Sequence, residues 1–152
     1  MLDRLFAMQR DLNDRIFKKH ELGVISSDFD KLDLDPTTRQ KWILNYLRAL
    51  VHEAVEAEDT CAWKWWSKDK KIDEQALRVE IVDIWHFLIS ATIAAGMSPE
   101  ELLKVYEQKW LVNHARQDRG DYGRATRAEA EAECRLIDTG PRAPEAMLQT
   151  GL

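Results

Sequence analysis

Apolar residues recur at near-helical spacing from Leu2 to Lys19, at Leu2, Leu5, Phe6, Met8, Leu12 and Ile16, and predict a first amphipathic helix. Gly23 and the pair Ser26-Ser27 break it. A second helix is expected from Asp35, whose side chain can cap free backbone N–H groups, through Pro36 in the first turn to about Asp59. Thr60 to Lys71, rich in Trp and Lys and without sustained periodicity, reads as a connector with room for one helical turn. Asp73 caps a third helix that runs through Ala95 and stops at Gly96. Ser98-Pro99-Glu100-Glu101 then gives a capping box with proline at the first helical position, the firmest helix start in the chain.

The fourth helix should reach about Gln117, before the turn forced by Gly120-Asp121-Tyr122-Gly123. Residues 124–136 suit a short polar helix, and 137–152, with Gly140, Pro141, Pro144 and Gly151, read as a frayed or partner-dependent tail. No strand alternation and no internal repeat is present in the sequence. The expected fold is all-α, an antiparallel four-helix bundle core over 1–123 followed by a C-terminal helix and tail over 124–152.

At 152 residues with 45% hydrophobic content, the chain can build one real core. Its formal net charge of -5 argues against general binding to nucleic acid or an anionic membrane, which requires surplus Lys and Arg. Cys61 and Cys134 lack the spacing of a zinc site or a disulfide framework, so a reducing cytoplasm is expected. The early charges Asp3 and Arg4 do not suit a secretory segment, and the apolar stretch from Ile84 to Met97 is too short to span a bilayer.

Residues three apart on a helix share a face, so Glu53 with Glu56 and Glu80 with Asp83 form two carboxylate claws. Leu50, Val55, Leu77, Ile81, Val82, Ile84 and Trp85 set these acids beside apolar packing positions. Four converging carboxylates would repel one another, and a divalent cation removes that penalty. Hard oxygen donors without Cys or paired His favour Mg²⁺, with Mn²⁺ as a substitute, and Mg²⁺ keeps positions open for water and phosphates. A solvated Glu-x-x-Glu pair is the ordinary alternative for either claw taken alone. A carboxylate-bridged di-iron bundle is a second alternative, although it uses two Glu-x-x-His ligands and only Asp83-x-x-His86 comes close. A non-catalytic helical interaction module is a third.

Glu53-x-x-Glu56 followed by Glu80-x-x-Asp83 resembles the metal-binding signature of the all-α nucleoside triphosphate pyrophosphohydrolases, the superfamily of MazG and the dimeric dUTPases. Within it the chain is most similar to the dimeric dUTPase branch, through Met8-Gln9-x-x-Leu12-Asn13, Trp63-Lys64-Trp65-Trp66, Glu80 to Phe87, and Lys109-x-x-x-Asn113-x-x-Arg116-Gln117. The resemblance covers roughly residues 1–123. It implies Mg²⁺ held by Glu53, Glu56, Glu80 and Asp83, with Glu53 as the proton acceptor. It further implies that Gln9, Asn13, Trp63 and Trp66 line a nucleoside pocket, and that Lys64, Lys109, Asn113, Arg116 and Tyr122 hold phosphates and sugar. Two features depart from the branch: Trp110 stands where an Asn usually follows the lysine, and Gly120-Asp121-Tyr122 spreads out a usual Gly-Tyr pair.

The implied reaction is hydrolysis of dUTP to dUMP and diphosphate, with dCTP or dGTP as the alternative substrate. The Trp-rich faces suggest a homodimer or homotetramer, with no nucleic-acid or membrane partner. For His86 the structural reading is favoured, in which its ring hydrogen-bonds a neighbouring helix.

Overall fold

A computed structural model describes residues 1–66, 68, 71–120 and 131. Every regular element among them is helical: α1 (Leu2–Lys19), a 3₁₀ turn (Ser26–Asp30), α2 (Pro36–Thr60), α3 (Glu74–Ala94) and α4 (Pro99–Arg119). The chain divides into two compact units, one of Met1–Ser98 and a second that begins at Pro99. The boundary expected after Gly123, the polar helix over 124–136 and the tail over 137–152 lie outside the described residues, Glu131 excepted.

Local chemistry sets the helix ends. Asp35 accepts from the Thr38 backbone N–H at 2.8 Å and Pro36 opens α2, while Asp73 accepts from Ala76 N–H at 3.0 Å ahead of α3. Gly96 adopts φ +80° just beyond α3, where its N–H bonds Ile93 O at 2.9 Å and the Met97 N–H bonds Thr92 O at 3.2 Å. A Cβ there would stand 2.7 Å from Arg39 Nη1 and 3.1 Å from Phe29 O, so both backbone conformation and space require glycine.

In the first unit α2 and α3 form an antiparallel hairpin. The Asp73 N–H meets Thr60 O at 3.1 Å at one end, and Arg39 Nη1 donates to Ala94 O at 3.1 Å at the other. Helix α1 runs alongside α3 in the same direction, Gln9 meeting His86 and Asn13 meeting Ser90. Phe17 packs edge-on against Trp42 of α2 with centroids 4.8 Å apart and lies 6.4 Å from Phe29. Phe6, Phe17, Phe29, Ile89 and Ile93 are the large buried apolar residues. Other apolar side chains stay exposed: Leu5, Met8, Leu12 and Ile16 along α1, and Leu44, Leu47, Val51 and Val55 along α2.

Two local expectations change. The Ser26-Ser27 break contains a 3₁₀ turn, because Ser26 N–H donates to Asp14 at 2.6 Å and Arg10 bonds both Ser26 O and Asp30. The connector carries no helix among its described residues beyond Thr60, the last residue of α2. The second unit contains α4, which starts at Pro99 with Glu100 and Glu101 in its first turn and is followed by Gly120 at φ +71°. No single helix among the described residues is long and apolar enough to cross a membrane.

Candidate metal centre

Because α2 and α3 are antiparallel and joined near Thr60, Glu53 on α2 comes level with Glu80 and Asp83 on α3. Each of the three offers a carboxylate oxygen, and these oxygens lie within 4.8 Å of one another. All three side chains are half-buried. Glu56 is exposed and stands outside this trio, one turn further along α2. Its charge still reaches the site: partial burial, then the negative charges of Glu56, Asp83 and Glu80 and a hydrogen bond with Glu80, push the Glu53 carboxyl above its ordinary value. Like charges held this close repel one another, and a divalent cation would offset that penalty. The donors are all hard oxygens, a set that suits Mg²⁺ or Mn²⁺ better than zinc. The trio contains no histidine, unlike a di-iron centre with Glu-x-x-His ligands.

His86, one turn after Asp83, turns to α1. Gln9 Nε2 donates to Asn13 Oδ1 at 3.0 Å and to Ser90 Oγ at 2.9 Å. Gln9 Oε1 therefore receives the His86 Nδ1–H, at 2.6 Å. Ser90 Oγ also lies 2.9 Å from His86 O and 3.2 Å from Asn13 Oδ1. Gln9 and Asn13 are each 4% exposed, and both amide groups are engaged in this buried layer. Sequence reasoning missed Ser90, whose role depends on a partner 77 residues away and has no local signal. Gln9 and His86 also border a cavity of about 360 Å³ whose other walls include Leu5, Met8, Val82 and Trp85.

The connector aromatics are exposed. Trp63 donates its indole N–H to Asp59 Oδ1 at 3.0 Å, and Lys64 Nζ lies 5.3 Å from the centre of the Trp63 ring. Trp66 meets Trp63 edge-on at 5.7 Å. Lys109, Asn113 and Arg116 lie on α4, spaced so that they share a face of that helix. On the same helix Trp110 meets His114 at a tilt of 46° with centroids 4.0 Å apart. Tyr122 lies outside the described residues.

A family model described as dUTPase matches residues 1–99. A dCTP pyrophosphatase of Enterobacteria phage LZ5 is 40% identical over 77 residues, 43% of this chain and 45% of that protein. A dCTP pyrophosphatase of Enterobacteria phage T4 is 35% identical over 77 residues with the same shares of each chain. A DNA replication protein of phage T4 is 33% identical over 66 residues, 36% of this chain and 17% of that protein. The chain thus spans under half the length of the curated relatives it matches. No solved structure matches it.

Proposed function

This chain belongs to the dUTPase family, matched over residues 1–99, and we propose on that footing that it is a Mg²⁺-dependent nucleoside triphosphate pyrophosphohydrolase. The observation that carries the reading is the convergence of Glu53, Glu80 and Asp83 from two helices within 4.8 Å. These residues would hold Mg²⁺, with Glu56 adding charge from the next turn of α2. When bound, the cation supplies neutralisation of the triphosphate's charge and orientation of a water. Water attacks the α-phosphorus, the bond from that phosphorus to the oxygen bridging it to the β-phosphate breaks, and diphosphate leaves with the monophosphate left behind. Glu53 would accept the water's proton, a role open to a weakly basic carboxylate because a cation held there would acidify the water.

In this reading Trp63 and Trp66 stack on the base and Lys64 meets phosphate. The amides of Gln9 and Asn13 serve the nucleoside pocket from its wall, since their hydrogen bonds are directed into the α1–α3 layer. Family membership favours dUTP as substrate. The names of the two phage relatives favour dCTP as the second reading.

The exposed apolar rows on α1 and α2 support a homo-oligomer, dimer or tetramer. Light scattering on the purified chain tests the assembly, and a monomer at micromolar concentration refutes it. A panel of nucleoside triphosphates assayed for diphosphate release with and without Mg²⁺ tests the reaction. Preference for a purine overturns both pyrimidine readings. Glu80→Gln should abolish Mg²⁺-dependent release while leaving helicity unchanged, and undiminished turnover removes the metal-centre assignment.

A further inference from the structure

Asp59 is an acid that the trio leaves unused. It lies on the last turn of α2, six residues after Glu53, or about 9 Å along the axis at the helical rise. The connector uses its carboxylate instead. Asp59 Oδ1 accepts the Trp63 indole N–H at 3.0 Å, and Lys64 Nζ stands 3.8 Å from the same oxygen. Lys64 in turn sits over the Trp63 ring at 5.3 Å. One oxygen therefore fixes an aromatic face and an ammonium group relative to each other.

The fixed pair starts a ladder of crossed indoles. Trp63 meets Trp66 at 84°, and Trp66 meets Trp65 at 5.4 Å and 87°. Exposure climbs along it, from 44% at Trp63 to 60% at Trp66 and 81% at Trp65. Asp59 is the α2 side chain that bonds the ladder among the described residues.

We infer that Asp59 is a positioning residue for substrate binding, anchoring the Trp63 ring and the Lys64 ammonium to the same rigid helix that carries Glu53. This rests on the reading in which Trp63 stacks on the base and Lys64 faces phosphate. An unanchored Trp63 explores its rotamers in the free protein and must be ordered by the nucleotide, which weakens binding. Asp59 touches no reacting atom, so the chemical step is untouched.

The test is steady-state kinetics of the full chain in saturating Mg²⁺, with Asp59→Ala and Asp59→Asn. Asp59→Ala should raise KM about fivefold, ~1 kcal/mol at the usual conversion, while kcat stays within about twofold. Asp59→Asn keeps an amide oxygen to accept the indole N–H and should hold KM within about twofold of the parent. The indole N–H resonance of Trp63, identified by its loss in Trp63→Phe, should move in Asp59→Ala and stay near its place in Asp59→Asn. Three results overturn the inference: an unchanged KM in Asp59→Ala, a fall in kcat with KM unchanged, or Asp59→Asn as impaired as Asp59→Ala. A parent protein that binds nucleotide without hydrolysing it sinks the proposed reaction instead, and Kd from calorimetry then takes the place of KM in the same comparison.

Discussion

Removing the Glu53 charge should stabilise the metal-free protein and abolish its response to Mg²⁺. Glu53, Glu80 and Asp83 bring oxygens within 4.8 Å. Two like unit charges at that separation repel by ~0.9 kcal/mol in a water-like medium and by ~3.5 kcal/mol at an effective dielectric of about 20. The side chains are half-buried, which places each pair at about 1–2 kcal/mol. Glu53→Gln relieves two such pairs, and its amide N–H can donate to Glu80, for a net gain of about 2 kcal/mol. For a chain of this size that gain raises Tm by about 4–8 °C.

Thermal unfolding followed by circular dichroism at low ionic strength, in chelator and in excess Mg²⁺, reads the effect. In chelator the variant should melt higher; in Mg²⁺ the parent should rise by mass action while the variant moves little. The pH dependence has a definite sign. The folded-state pKa of Glu53 lies above its ordinary value of 4.5, so the fold favours the protonated form. The penalty is therefore absent below the ordinary value and grows as pH rises through the raised one. The advantage of Glu53→Gln in chelator must shrink on acidification. A variant that melts lower than the parent in chelator at neutral pH, or one that gains as much from Mg²⁺, refutes the reasoning.

Three further outcomes follow from the geometry. Asn13→Ala leaves one N–H of Gln9 Nε2 short of an acceptor in a buried layer, while the Ser90 hydroxyl keeps the His86 carbonyl, and should cost about 2 kcal/mol in urea unfolding; a change under about 0.5 kcal/mol would show that water replaces the amide. Gly96→Ala must place a Cβ 2.7 Å from Arg39 Nη1 at φ +80° and should cost about 2–3 kcal/mol, read as a lower urea midpoint with unchanged slope; parental stability would refute the clash. The carboxyls of Asp28, held down by Lys31 and the Ile25 N–H, and Asp35, held down by the Thr38 N–H and hydroxyl, lie below 3.8 in the fold. Their contribution is present above that value and lost as pH falls through the lowered ones, so Asp35→Ala should reduce Tm at neutral pH, by a deficit that shrinks as the pH falls below 3.8.

How far the sequence could be read depended on the range of each interaction. Asp35, Asp73 and Gly96 end helices through bonds to residues within four positions, so composition near the ends announced them. The claws were visible because a three-residue spacing fixes a shared helix face. That Glu56 faces solvent while Glu53 meets α3 depends on how α2 rolls against its neighbour, which spacing does not specify. The 3₁₀ turn escaped for the same reason, since Asp14 and Arg10 hold it from α1. For Gln9 and Asn13 the resemblance implies a nucleoside pocket, and nothing local to them announces that their amides bond His86 and Ser90, on a helix far along the chain.

The polar layer between α1 and α3 also acts as a register lock. Gln9 and Asn13 are spaced by one turn, as are His86 and Ser90, and the two pairs interdigitate. Sliding α1 by a single turn toward the end of α3 would bring an amide level with the buried Ala94 and strand its hydrogen bonds, whereas purely apolar faces tolerate such a slip cheaply. Because Asp83 sits one turn before His86 on a neighbouring stripe of α3, the contact that holds His86 against α1 also fixes the height at which the Asp83 carboxylate stands.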